Sequence, residues 1–183
     1  MRSRHFPAPI EPSVAPDAFV GSGSRLIGEV SVGAQSSIWF NCVLRADVQK
    51  ITIGARTNIQ DGTIIHGTTN GPPVSIGDDV TVGHGAILHA CTIEDGGFVG
   101  FGARVLDAAV VRSGGMLAAG SLLSPGKVVG SGELWAGHPA RLMRTLTETE
   151  RAGMAATGLR YVALAGRYAR MNLIVFNYQE CKL

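Results

Sequence analysis

An aliphatic residue recurs at every sixth position along most of this chain, and this spacing restricts the possible folds more than any other feature. The series begins at Val14, and each step of six residues reaches another Val, Ile or Leu. Its phase shifts by three residues after Leu44 and by five after Ile65, and it shortens by one after Leu88. The nineteen positions are Val14, Val20, Leu26, Val32, Ile38, Leu44, Ile53, Ile59, Ile65, Ile76, Val82, Leu88, Ile93, Val99, Val105, Val111, Leu117, Leu123 and Val129.

A period of six matches neither the 3.6 residues of an α-helical turn nor the simple alternation of a hairpin strand. It is typical of a solenoid whose short parallel strands turn at regular corners, with the aliphatic side chains inside and glycine at many bends. Three hexads close one turn of eighteen residues, and successive turns stack at about 4.8 Å. We therefore predict an all-β solenoid, which buries its core by stacking its turns.

The composition excludes several other classes of protein. The 183 residues are 45% hydrophobic, so the chain is not disordered. A net charge of +2 without a Lys/Arg run argues against binding to nucleic acid. No apolar stretch resembles a signal peptide or a membrane span, so we expect no membrane association. Three cysteines without CxxC spacing argue against a disulfide framework, and we predict a cytoplasmic protein.

The repeat ends after Val129, and a helix is predicted beyond it. Thr147 and Glu150 have the spacing of a capping box, and apolar residues from Met154 to Tyr168 then fall on one helical face. The helix is expected to reach about Asn172 and to pack along the solenoid. The predicted divisions are an N-terminal extension (1–13), the solenoid (14–131), and a turn, helix and tail (132–183).

Two histidines occupy equivalent positions in this repeat. His66 follows the inward residue Ile65, and His89 follows Leu88 one turn later. Their separation of 23 residues is one turn of eighteen plus the five added in the segment 67–75. Arg45 holds the same position one turn below His66. Imidazoles stacked about 5 Å apart at the backbone can converge on one metal ion.

A third histidine points in another direction. His84 comes two places after an inward residue, on the preceding face, with Asp61 one turn beneath it and Gln60 beside Asp61. His84 would reach the ion only from a neighbouring copy, through a heterologous contact that closes into a ring. The same contact would bring Asp61 towards the neighbour's Arg45.

The alternative to a metal site is a set of ordinary polar side chains. We interpret His5 and His138 in that way, whereas the spacing of His66, His84 and His89 favours metal binding. Cys91 lies two residues from His89, but a free cysteine is more often a small buried apolar residue than a ligand.

These residues and their surroundings resemble the γ-class carbonic anhydrase-like family of hexapeptide-repeat proteins. The hexapeptides alone are shared with acyltransferases, so the resemblance depends on the histidines and on the Arg-x-Asp and Asn-x-Gln-Asp motifs. The matching segments are Ser37 to Asp47, Asn58 to Gly62, Ile65 to Gly67 and Val82 to His89.

The resemblance implies a left-handed β-helix and a homotrimer with metal sites between subunits. His66 and His89 would come from one chain and His84 from the next, holding Zn²⁺, or alternatively Fe²⁺ or Co²⁺. Zinc-bound hydroxide would hydrate CO2 to bicarbonate. The roles implied for the remaining residues are an orienting amide (Gln60), supports of the site (Asp47, Asn58) and an intersubunit salt bridge (Arg45, Asp61).

The chain departs from the best-characterised active type at the positions expected to export protons. Val48 stands where that type has glutamate after Arg-x-Asp, and residues 67–73 lack its acidic loop. Tyr161 on the predicted helix is a candidate substitute. Because proton export needs an acceptor of suitable pKa, we expect weak CO2 hydration. The alternatives are a metal-dependent esterase or thioesterase, a metal-free acyltransferase with a histidine base, and a structural subunit.

Overall fold

The structure, a computed structural model, describes residues 10–171 and has the predicted fold. It is a left-handed parallel β-helix of about 7 turns with one helix packed along it. Two-residue strands predominate, because the chain must turn a corner after each inward aliphatic side chain.

The strands form three faces. The helix face, which α1 covers, consists of β2 (Phe19–Val20), β4 (Ser37–Ile38), β6 (Asn58–Ile59), β9 (Thr81–Val82), β12 (Phe98–Val99) and β15 (Met116–Leu117). The histidine face consists of the first halves of β3 (Arg25–Val32) and β5 (Val43–Ile53), with β7 (Ile64–His66), β10 (Ile87–His89), β13 (Arg104–Val105) and β16 (Leu122–Leu123). The open face consists of β1 (Ser13–Val14), the second halves of β3 and β5, β8 (Val74–Ile76), β11 (Thr92–Ile93), β14 (Val110–Val111) and β17 (Val128–Val129).

The interior is the predicted aliphatic series. From Val32 onwards every residue of the series is buried, and most are fully inaccessible to solvent. Val14 and Val20 are instead exposed, and Leu26 is half-buried. These three residues lie in the first turn, and no turn of the described chain lies beneath them. The periodicity therefore predicted which side chains point inward, whereas burial also requires a turn on each side.

Beyond Val129 the stack continues further than predicted. Strand β18 (Glu133–Gly137) still pairs in parallel with β15, past residue 131, and β19 (Ala140–Thr145) then returns antiparallel to β18. Helix α1 (Glu148–Tyr168) follows, with the predicted capping box between Thr147 and Glu150. The helix ends before Asn172, and the predicted tail lies outside the described residues.

Helix α1 runs back along the helix face and meets the aromatic residues of the first turns. Tyr161 and Tyr168 pack against Trp39 with ring centroids 5.3 and 5.2 Å apart, both nearly edge to face. Phe19 also contacts Trp39 and Tyr168, which places the end of the helix beside the first turn. Among residues 10–171, no helix is long and apolar enough to cross a membrane.

Candidate metal centre

Strand pairing aligns the two histidines of the histidine face. His89 pairs with His66, and His66 pairs with Arg45, so the three side chains stand in one outward column on successive turns. In the adjacent outward column, Val43, Ile64 and Ile87 form an aliphatic run between Arg25 and Arg104. We call these the histidine column and the aliphatic column.

The imidazoles of His66 and His89 face each other. Nδ1 of His66 lies 3.3 Å from Nε2 of His89, and the ring centroids are 5.3 Å apart. The remaining nitrogen of each ring contacts a carboxylate. Nε2 of His66 is 2.9 Å from Oδ1 of Asp47, and Nδ1 of His89 is 2.6 Å from Oδ1 of Asp107.

Both carboxylates are held as anions. Burial raises the pKa of Asp47, but hydrogen bonds from Arg45 and His66 outweigh that effect and leave this pKa below its ordinary value. A hydrogen bond from His89, and a second from Thr68, lower the pKa of Asp107. Each imidazole therefore has an anionic acceptor at its outer nitrogen.

His84 lies at the corner between the helix face and the histidine face. Its Nδ1 is 2.8 Å from Oδ2 of Asp61, one turn below, as the register predicts. The ring of Phe101, one turn above, lies 5.2 Å from the His84 ring, centroid to centroid. His84 and Phe101 are both exposed, so this corner presents an imidazole and a phenyl ring to the outside.

Asn58 and Gln60 lie beneath helix α1 and are almost fully buried. Nε2 of Gln60 donates to Oδ1 of Asn58 at 3.0 Å, and Nδ2 of Asn58 donates to Oγ1 of Thr81 at 2.9 Å. Within the part of the chain that the structure describes, Oε1 of Gln60 has no hydrogen-bond partner, although it is buried. Tyr161 packs above Trp39, and its pKa is raised by burial and by the negative charge of Asp61.

The predicted site residues thus form two separate groups within one chain. One contains Arg45, Asp47, His66 and His89, and the other contains Asn58, Gln60, Asp61, His84 and Tyr161. Across residues 10–171 of a single chain, no group of three or more His, Cys, Asp or Glu side chains is arranged to hold a metal ion. Arg45 contacts Asp47, and Asp61 contacts His84, so a pair between Arg45 and a neighbour's Asp61 stays a prediction.

The two cysteines among residues 10–171, Cys42 and Cys91, are unsuited to the site. Burial raises the pKa of Cys42 to about 11 and that of Cys91 to about 12. Thiolates are the form that binds metals and attacks substrates, so both side chains are inert at neutral pH. This agrees with the sequence interpretation of Cys91.

Asp107 is the residue that sequence reasoning missed. It lies in the corner after β13, at two places after the inward Val105, whereas His89 is one place after Leu88. Counting by hexads therefore puts Asp107 outside the histidine column. One feature of the sequence did mark this corner as unusual. All three phase changes of the repeat occur there, between the histidine face and the open face.

The facing nitrogens fit a tetrahedral cation. Two nitrogens that bind one zinc ion at about 2.0–2.1 Å are about 3.3 Å apart when the angle is tetrahedral. The separation between His66 and His89 equals that distance. Carboxylates on the outer nitrogens are also the usual companions of histidine ligands.

Comparison with known proteins identifies the family of this chain. No protein-family model matches the chain. A protein of Methanocaldococcus jannaschii named probable carbonic anhydrase is 47% identical over 146 residues, which are 80% of this chain and 91% of that protein. Gamma carbonic anhydrase 2, mitochondrial, of Arabidopsis thaliana is 46% identical over 174 residues, 92% of this chain and 63% of that protein.

The chain belongs to the gamma carbonic anhydrase family. A solved structure of a hexapeptide transferase family protein from Anaplasma phagocytophilum is 48% identical, with a TM-score of 0.84, and the match covers 87% of this chain and 93% of that one. The chain spans less than two thirds of the length of the plant gamma carbonic anhydrase to which it is similar.

Proposed function

We propose that this member of the gamma carbonic anhydrase family hydrates CO2 reversibly to bicarbonate, at zinc sites shared between the subunits of a homotrimer. The observation that carries the proposal is the pair of facing nitrogens on His66 and His89, 3.3 Å apart, with a carboxylate at each outer nitrogen. The names of the curated relatives support the same reaction.

The carboxylates of Asp47 and Asp107 determine which nitrogen of each imidazole carries the proton. An anionic carboxylate accepts a hydrogen bond, so Asp47 and Asp107 favour a proton on the outer nitrogen of each ring. Both inner nitrogens then carry lone pairs and point at each other. Two acceptors at 3.3 Å repel unless a cation lies between them. This arrangement supports metal binding more strongly than two unrelated surface histidines would.

The third ligand would come from a second copy of the chain. With Nδ1 of His84 beside Asp61, the other nitrogen of this exposed ring is available to a neighbour. The aliphatic column supports a contact at the histidine face, because Ile64 is 45% exposed in a single chain. Joining the corner of one copy to the histidine face of the next is a heterologous contact, and three such contacts close a trimer.

A bound zinc ion, or Fe²⁺ or Co²⁺ on the same ligands, would act as a Lewis acid that lowers the pKa of a water molecule to about 7. The chain's own residues would orient the reactants. Gln60 offers a buried acceptor, Oε1, that lacks a donor among residues 10–171, and Asn58 holds the amide by accepting from Nε2. Gln60 is therefore suited to accept a hydrogen bond from water or substrate when subunits assemble.

Export of the proton is expected to limit turnover. Val48, which is exposed beside Asp47, has no proton-accepting group, and neither do residues 67–73. Tyr161 is a poor acceptor, because its raised pKa keeps the phenol protonated at neutral pH. We therefore propose slow hydration that increases with buffer concentration, since an added base replaces the missing shuttle.

The test combines metal content, mass and CO2 hydration. We expect about one zinc ion per chain, a trimer by sedimentation, and stopped-flow hydration that rises with imidazole buffer. His84→Gln should remove the metal and the hydration, whereas His138→Gln, at an exposed turn between β18 and β19, should change neither. A metal-loaded trimer with hydration at the background rate would refute the reaction and leave the site intact.

An esterase or thioesterase is the second candidate. The inserted segment 67–75 motivates it, because Thr68 in this segment lies near enough to lower the pKa of Asp107 and therefore borders the site. Metal-dependent hydrolysis of a small ester or an acyl thioester would favour it over CO2 hydration. The metal-free acyltransferase does not fit better, because the relatives are named carbonic anhydrases.

A further inference from the structure

Asp107 holds a position that the recognised motifs do not include. Its carboxylate lies one turn above His89, and Oδ1 is 2.6 Å from Nδ1 of that ring. The corner that carries Asp107 is fixed by its backbone. Ala108 donates to the carbonyl of Ala90 at 2.8 Å, and the carbonyl of Asp107 accepts from Gly126 at 2.9 Å.

The inserted segment 67–75 supports this carboxylate from the other side. The segment begins at Gly67, where an added Cβ would lie 2.9 Å from Cβ of Gln49, so the chain can turn there only with a small residue. A tight turn follows, in which Gly71 donates to the carbonyl of Thr68 at 3.0 Å. The Thr68 side chain then lies near enough to Asp107 to lower the pKa of its carboxyl group. The segment that the longest phase shift inserts thus passes beside Asp107.

Without Asp107, the proton of the neutral His89 ring could lie on Nε2 instead of Nδ1. Nε2 of His89 lies 3.3 Å from Nδ1 of His66, so a proton on Nε2 would form a hydrogen bond between the two rings. In that tautomer the lone pair of His89 would leave the space between the rings. The choice between the two tautomers depends on which nitrogen has the better acceptor.

We propose that Asp107 is a positioning residue that fixes His89 in the tautomer with its proton on Nδ1 and its lone pair on Nε2. The inference deepens the proposed function, since it rests on His66 and His89 being ligands of one cation. Thr68 lies beside Asp107, so the inserted segment borders the positioning residue. Asp107 acts through His89 and contacts neither metal nor substrate.

The experiment compares Asp107→Ala with the wild-type protein in two measurements. In the metal-free protein, nitrogen-15 NMR of the imidazoles should show His89 protonated at Nδ1 in the wild type and at Nε2 in the variant. Zinc affinity, measured by competition with a chelator, should fall by about 10- to 100-fold. Asp107→Asn should fall between the two proteins, because its amide oxygen still accepts a hydrogen bond but carries no charge.

Asp95→Ala is the matched control. Asp95 is likewise an aspartate at a corner of the solenoid, but its carboxylate accepts from the backbone of Asp78 and contacts none of the histidines that the structure describes. It should alter neither the tautomer nor the zinc affinity. Thr68→Val should lower the affinity by less than Asp107→Ala does.

The two proposals fail in different ways. If wild-type protein binds no zinc, the proposed function is wrong, and the tautomer of His89 still decides the role of Asp107. If Asp107→Ala keeps both the wild-type tautomer and the wild-type zinc affinity, Asp107 is not a positioning residue. If Asp107→Ala unfolds, Asp107→Asn supplies both measurements, and an unchanged tautomer and affinity there contradict the proposal.

Discussion

The histidine face and the open face have the same interior and different exteriors. Ile65 and Ile76 lie in the same turn, one on each face, and both are buried. The residues just before them point outward, and these are Ile64 on the histidine face and Ser75 on the open face. Ile64 belongs to the aliphatic column, whereas Ser75 belongs to a column that begins Ser13, Ser31, Thr52. The interior positions specify the solenoid, and the outward columns indicate what covers each face.

The largest expected effect tests the shared interior. Ile65→Ala and Ile76→Ala should each lower the free energy of unfolding by about 2–5 kcal/mol, because each leaves a cavity in a core of stacked aliphatic side chains. The two losses should be similar, which urea titration of the metal-free protein can measure. Val20→Ala, at an exposed position of the first turn, is the control and should cost less than about 1 kcal/mol. A large difference between the two faces would show that they do not share one core.

The next effect tests the exteriors. Ile64→Asp should dissociate the proposed trimer, since an unpaired charge buried at an interface costs about 3–5 kcal/mol, which weakens association by more than about 100-fold. Ser75→Asp, in the same turn on the open face, should leave the mass in solution unchanged. Sedimentation velocity measures both. Trimers of equal stability in the two variants would contradict the assignment of the histidine face to a subunit contact.

The helix face provides a third case, because its outward residues are covered by α1 of the same chain. Thr147→Ala removes the side chain that caps this helix and should cost about 1 kcal/mol of stability. Thr149→Ala, two residues further along the exposed first turn, is the matched control and should have little effect. Thermal unfolding of the two variants gives the comparison. An equal loss in both would mean that the cap does not stabilise the helix.

The smallest effect concerns pH at the same cap. Hydrogen bonds from Arg144 and Thr147 lower the pKa of Glu150 from 4.5 to about 2. Because the folded-state pKa is lowered, this contribution to stability is complete above about pH 4.5 and is lost as the pH falls towards 2. Glu150→Gln should remove that part of the pH dependence, as seen in unfolding temperatures at pH 5 and pH 3. Glu148→Gln, which contacts Arg151 but not the hairpin, should preserve it.

The sequence predicted the columns of the solenoid because a fixed period converts residue number directly into position. His66 and His89 align as expected, and Asp61 lies beneath His84. Asp107 could not be found in this way. A phase change moves the chain at a corner, and the direction of a corner side chain depends on backbone geometry that spacing does not encode.

The repeat also could not predict which side chains contact each other within the chain. Counting turns brings Asp61 near a neighbour's Arg45, but it does not show that Asp47, two residues from Arg45, contacts it first. The orienting role of Gln60 stays a prediction, and the repeat did not show that Asn58 holds its amide nitrogen beneath the helix. Such details depend on side-chain rotamers and on how closely α1 covers the face.

The turns above the site differ from those that carry it. From Ile93 to Val129 the hexads continue without a phase change, and every inward side chain is fully buried. This regular part has corners of constant length, so an additional coil of eighteen residues could be inserted after Asp107 while the carboxylates and imidazoles keep their spacing. The β-helix therefore consists of turns that carry the candidate site and of regular turns above them, whose number can change without altering the site.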